Sequence, residues 1–123
     1  MKDKARGIRE PATIALLRIG GAAVPALLGV LQEAAKEPEL RVLAVVALGA
    51  IGKDAAAAVP ALASAVKDVN PEVRLYAARA LGRIGSAARP ALKALEAARK
   101  DDDPNVRSAA AEAIKQIEGP SDG

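Results

Sequence analysis

Residues 71–85 read PEVRLYAARALGRIG, and the chain writes nearly the same line twice more: PELRVLAVVALGAIG at 38–52 and PNVRSAAAEAIKQIE at 104–118. The copies open at Pro38, Pro71 and Pro104, 33 residues apart. A fixed period of this size marks an array of small units, each too short to bury its apolar face alone and each leaning on its neighbour.

Within 71–85 the apolar residues Val73, Ala77, Ala80, Leu81 and Ile84 fall on one side of a helix. The matching stripes are Leu40, Ala44, Ala47, Leu48, Ile51 and Val106, Ala110, Ala113, Ile114, Ile117. Each proline suits the first helical turn, where its missing N–H costs nothing. Asn70 and Asp103 stand at the N-cap, and Glu37 fills that position more weakly. Gly52 and Gly85 follow their stripes where a left-handed residue ends a helix, and Gly20 does so one unit earlier.

A second mark lies between the stripes: VPALL from Val24, VPALA from Val59 and RPALK from Arg89. Pro25, Pro60 and Pro90 are expected in the first turn of a second helix. Their unequal spacing from Gly20, Gly52 and Gly85 reads as a surface loop of variable length. The second helices are expected to run to about Lys36, Val69 and Lys100, with Leu27, Leu31, Leu62, Val66, Leu92 and Leu95 inward. Ile8, Arg9, Leu16 and Ile19 trace a degenerate first unit, which Pro11 kinks or restarts. The expected organisation is a loosely ordered basic segment 1–10, a repeat domain 11–118 and a flexible tail 119–123. The units are about 11–37, 38–70, 71–103 and 104–118.

Composition agrees with an all-α reading. Among 123 residues there is no Phe or Trp and Tyr76 is the single aromatic, so the core is Leu, Ile, Val and Ala. Alanine favours helix and lets helix axes approach closely. With neither Cys nor His, a disulfide framework, a thiolate nucleophile, an imidazole ligand and a Ser-His triad are excluded. The charged start MKDKARGIRE lacks the apolar core of a secretory signal. The apolar stretch Val42 to Ile51 is short of the ~20 residues that span a bilayer. A cytoplasmic protein without a membrane partner is expected.

The pattern P-x-[VL]-R, A-L-G-x-I-G, V-P-A-L resembles a HEAT-like repeat, in the short bacterial subtype first associated with phycobilisome lyases. The resemblance covers nearly the whole chain. It implies a right-handed α-α superhelix, an armadillo-like helical solenoid of about three and a half helix pairs. It also implies that the first helices line the convex side and the second helices the concave, usual binding side. Most such arrays are protein-binding scaffolds, while some relatives act in bilin attachment and one related family excises alkylated DNA bases. The recurring Arg41, Arg74 and Arg107 are then structural: each bridges neighbouring units through backbone carbonyls or inter-helix acids, for which the planar five-donor fork is suited.

Candidate chemistry is thin. Asp101, Asp103, Asn105 and Glu112 match positions 1, 3, 5 and 12 of a calcium-binding loop. The glycine that the loop needs is Val106, and Pro104 starts a helix inside it, so the acids read as a solvated turn with Asp103 as a cap. Ser64 and Lys67 fit S-x-x-K without its companion motifs. Gly49 and Gly82 pair with the cap glycines inside and after helices, which indicates close packing rather than a phosphate loop. No catalytic residue, metal ligand or cofactor is expected.

Nucleic acid is disfavoured as a partner. Lys2, Lys4, Arg6, Arg9 and Arg18 near one end, and Lys93, Arg99 and Lys100 near the other, are cations without stacking aromatics. Asp101, Asp102 and Asp103 follow the second group directly, and net charge is only +3.

Two surfaces invite association. The helix LRVLAVVALGAI is apolar almost all round, so Val42, Val46 and Ala50, with Leu75 from the next unit, form an association patch for a homodimer or a docked partner. The outward positions of the second helices, Leu28, Gln32, Ala63, Ser64, Lys67, Lys93 and Ala97, are small or mildly polar. They suit a shallow groove for a helix or extended segment of a protein partner. The last stripe is not followed by a second helix: Glu112, Lys115 and Gln116 would suit it to be an end cap, and the alternatives are a piece of a longer array or end-to-end self-association. The leading expectation is a non-catalytic interaction scaffold. The rivals are a nucleic-acid backbone binder, a non-catalytic subunit of a bilin-lyase-like complex, and an engineered repeat scaffold, whose units would be more uniform.

Overall fold

The computed structural model describes residues 20–33 and 37–119. The expectations for the segment 1–10, for the helix around Pro11, for the end of a helix at Lys36 and for the tail beyond Gly119 lie outside those residues. Among the described residues every regular element is helical. In chain order these are α1 (Val24–Glu33), α2 (Pro38–Ile51), α3 (Val59–Ala65), α4 (Pro71–Ile84), α5 (Leu92–Ala98) and α6 (Pro104–Glu118). A 3₁₀ segment leads into each second helix: Gly20–Ala23 before α1, Gly52–Ala58 before α3 and Gly85–Ala91 before α5.

The first helices α2, α4 and α6 form one packed layer, and α1, α3 and α5 with their 3₁₀ segments form the other. The core lies between. Leu48, Leu62, Leu81, Ile84, Leu95 and Ile117 are fully buried, with Val45, Val73 and Val106 filling beside them. These residues recur at the repeat period, Leu48 with Leu81 and Leu62 with Leu95, so each unit offers its neighbour the same surface. The HEAT-like all-α architecture expected from the repeats is the one observed.

Why each first helix starts and stops is legible at its ends. Asn70 Oδ1 accepts from the backbone N–H of Glu72 at 2.8 Å and of Val73 at 3.2 Å. Asp103 Oδ1 accepts from Asn105 at 2.7 Å and from Val106 at 3.3 Å. Glu37, at the same place before α2, makes no side-chain capping bond. At the other end Gly52 and Gly85 take φ of 74° and 81°, where a side chain would be strained. Their N–H groups close on the carbonyls of Leu48 and Leu81.

The layer of first helices is tight because of two glycines. A Cβ on Gly49 would stand 2.9 Å from Ala80 Cα, and one on Gly82 would stand 3.0 Å from Ala113 Cα. The backbone of one helix therefore rests on an alanine of the next, as the sequence reading of close packing expected. The third copy of this position is Lys115, which is exposed on α6.

The linkers vary as expected only in the first unit: Gly20–Ala23 has 4 residues, whereas Gly52–Ala58 and Gly85–Ala91 have 7 each. Between the last two it is the proline that varies: Pro60 lies in the first turn of α3, whereas Pro90 lies inside the 3₁₀ segment before α5. A shift of three residues is one turn of a 3₁₀ helix, so proline slides by a turn and the repeat keeps its register. Leu92 accordingly is only half-buried, and Leu95 takes the core place held by Leu62. The second helices are also shorter than expected, ending at Ala65 and Ala98. The chain tightens there, with Lys67 N–H on Ser64 O at 2.9 Å and Asp68 N–H on Ala65 O at 3.0 Å.

The helical run Pro38–Ala65 is long and apolar enough, by composition, to cross a bilayer. Gly52, with φ of 74°, ends α2 and opens the 3₁₀ segment that leads into α3, and the inward residues of both helices belong to the shared core.

Candidate functional site

A ladder of arginines and aspartates runs along one edge of the stack. Arg41 forks onto Asp68, Nε to Oδ2 at 3.1 Å and Nη2 to Oδ1 at 2.9 Å. Arg74 repeats the contact on Asp101, with Nη2 donating to Oδ1 at 3.1 Å. Its Nε lies 3.0 Å from Oδ2 as a close ion pair, but the N–H is turned off line. Arg74 Nη1 also reaches back to the carbonyls of Asp68 and Val69, at 2.8 and 3.2 Å. Arg107 does the same to Asp101 and Asp102, at 2.8 and 3.2 Å. Arg74 and Arg107 thus tie their helices to the turns that precede them, and Arg41 and Arg74 hold the acid that follows.

The aspartates also organise the turns. Asp68 Oδ1 accepts from Asn70 N–H at 2.8 Å and Asp101 Oδ1 from Asp103 N–H at 2.9 Å, so each fixes the residue that caps the next helix. Burial pushes the Asp101 carboxyl up. The Asp103 N–H and the Arg74 and Arg107 charges outweigh that and hold it below the ordinary carboxylate value. Asp101 and Asp103 of the calcium-like spacing are therefore occupied inside the fold, and Glu112 lies exposed on α6.

Beside this ladder the second-helix layer carries two grooves of one design. Arg41, Ala61, Ser64, Ala65 and Asp68 line the first, with Leu31 and Gln32 as its other wall and a volume of about 270 Å³. Arg74, Ala94, Ala97, Ala98 and Asp101 line the second at about 390 Å³, with Lys67 and Lys100 at its rim. The residues of the second groove are those of the first moved on by one repeat. Of the positions expected outward on the second helices, Gln32, Ser64, Lys67 and Ala97 line these grooves. Leu28 and Ala63 are half-buried against the core, and Lys93 is exposed outside them.

The first-helix layer carries a different surface. Val46, Gly49 and Ala50 face Tyr76, Arg79 and Arg83 across a cleft of about 110 Å³. Leu75, Tyr76, Arg79 and Arg83 then face Asn105, Ser108, Glu112 and Gln116 across a wider one of about 570 Å³. Of the expected association patch, Val46 and Ala50 are exposed, while Val42 and Leu75 are half-buried against the core. The sequence reading passed over Tyr76, whose ring carries the Arg79 guanidinium 5.6 Å from its centre. It also missed Asp68, whose recurrence as Asp101 one repeat later was the available signal.

Helix pairs stacked in register, tied by a periodic arginine–aspartate ladder and grooved at the same period, define an α-solenoid repeat protein. The chain matches the family model of HEAT repeats over residues 24–115 and belongs to that family. HEAT repeats generally mediate protein–protein interaction, and the family is generally non-catalytic. No curated protein matches the chain.

Proposed function

We propose that the chain is a non-catalytic scaffold that holds a helical or extended segment of another protein along the grooves of its second-helix layer. The supporting observation is the recurrence of the groove, with Ala61, Ser64, Ala65 and Asp68 returning as Ala94, Ala97, Ala98 and Asp101. A surface that repeats at the unit spacing suits a partner lying across several units. Its small floor residues leave room for side chains from outside, and the floor charges are already paired. Shallow open clefts of this kind bind a polymer chain rather than enclosing a small molecule.

The test fills the groove from exposed positions. Ser64→Trp with Ala97→Trp, and separately Lys67→Glu, are compared with the parent in affinity capture followed by direct binding to whatever protein is retained. A partner bound by the parent and lost by both groove variants supports the reading. A partner held equally by all three removes the groove from it.

A further inference from the structure

The first-helix layer faces away from those grooves and differs from them in kind. Its three units present unlike chemistry at equivalent positions. The first offers Val46, 41% exposed, and Ala50. The next offers Arg79 and Arg83, one helical turn apart, with Tyr76 beneath Arg79. The third offers Glu112. Among the described residues neither arginine belongs to an ion pair. Glu112 stands across the wider cleft without closing on them. Two unneutralised guanidiniums beside an apolar step, that of Arg79 over the chain's single aromatic ring, combine the residue types that dominate protein interfaces.

We infer that this face is a second docking surface, for an acidic amphipathic segment of a partner protein. Apolar side chains of the segment rest on Val46 and Ala50, and its carboxylates meet Arg79 and Arg83, whose forks suit them. Glu112 repels an acidic end and so sets the direction in which the segment lies. A second copy of this chain is a poorer occupant, because it would bring its own arginines to the same face. This surface is independent of the second-helix grooves, and the chain becomes a scaffold with two faces.

Tyr76 supplies the readout. With no Trp and no other Tyr in the chain, tyrosine emission reports this cleft alone. The probe is a synthetic helical peptide without aromatic residues, with Leu along one stripe and Glu beside it; the control carries Lys in place of each Glu. The Glu peptide should change Tyr76 emission saturably and the Lys peptide should not. Arg79→Glu with Arg83→Glu should weaken the Glu peptide by about tenfold or more. Val46→Glu should weaken it too, and Lys67→Glu, in the other layer, should leave it unchanged. These residues are exposed, and circular dichroism confirms that each variant keeps its helices. No response to the Glu peptide, equal response to both peptides, or indifference to the arginine changes overturns the proposal. So does tighter binding of duplex DNA than of the Glu peptide, or a dimeric mass by light scattering that Val46→Glu returns to monomer. None of these results bears on the groove variants Ser64→Trp and Ala97→Trp.

Discussion

Arg74 and Asp101 lie 27 residues apart in the chain, and their side chains meet at 3.0 Å, repeating one unit on the pairing of Arg41 with Asp68. Both partners are mostly buried, with 17% and 15% of their side chains exposed. The guanidinium also satisfies two carbonyls of the preceding turn. Removing it takes the ion-pair partner from Asp101, which keeps the Asp103 N–H, and a donor from two carbonyls at once. Arg74→Ala should therefore destabilise the chain by about 2–3 kcal/mol, the range for hydrogen bonds to charged groups after allowing for partial exposure. Arg74→Lys should recover only part of this, since a single ammonium cannot hold the acid and both carbonyls. Urea unfolding of the three proteins checks the order.

The same contact predicts a pH dependence. Asp101 is held below its ordinary value in the folded chain. Its unfolded value is about 3.9. The folded state therefore binds the proton less readily than the unfolded state, and the stabilising contribution is complete above that unfolded value. It is lost as pH falls through the lower, folded value. Asp101→Asn should flatten the acid side of a stability–pH curve while lowering stability at neutral pH. An acid limb of unchanged steepness in the variant would assign the effect to other carboxyls.

Glycine-to-alanine changes should have opposite signs at two positions. A Cβ on Gly49 would meet the Ala80 backbone at 2.9 Å, which cannot yield without parting α2 from α4. Overpacking should outweigh the helix propensity gained, for a net loss of about 1–2 kcal/mol. On α1, a Cβ on Gly29 meets nothing within 4 Å. Gly29→Ala should stabilise by about 0.5–1 kcal/mol. Thermal melts of the two variants separate the packing term from the backbone term.

Much of this fold was written in the 33-residue period. Val73, Leu81 and Ile84 announce a buried stripe because apolar residues in helical register have one use, and Asn70, Asp103, Gly52 and Gly85 announce the ends by conformational chemistry of their own. Pro90 misled because its PAL neighbourhood matches that of Pro60, while the fold counts residues from the preceding glycine. Asp68 gave only the fainter signal of its return as Asp101, because an acid in a turn looks solvated until the arginine 27 residues earlier is brought to it. The docking surfaces were legible only in part. Val46 and Ala50 stood out as apolar where the next unit is charged, but the cleft that joins them to Tyr76 exists only once α2 and α4 are packed.

The cap before α2 is the weakest of its kind and offers a gain. Glu37, Asn70 and Asp103 occupy one repeat position, yet only the last two accept from the backbone N–H groups of the first turn. Glutamate is one methylene too long to fold back as they do, so the Glu37 side chain leaves those donors at the start of α2 uncapped. Glu37→Asn should supply one and stabilise by about 0.5–1 kcal/mol, whereas Asn70→Ala and Asp103→Ala should each cost about 1 kcal/mol. Asp103→Ala should cost the more of the two, because it also removes a negative charge from the positive end of the α6 dipole. Salt separates the two terms: added sodium chloride should narrow the gap between the alanine variants and leave the gain from Glu37→Asn nearly unchanged.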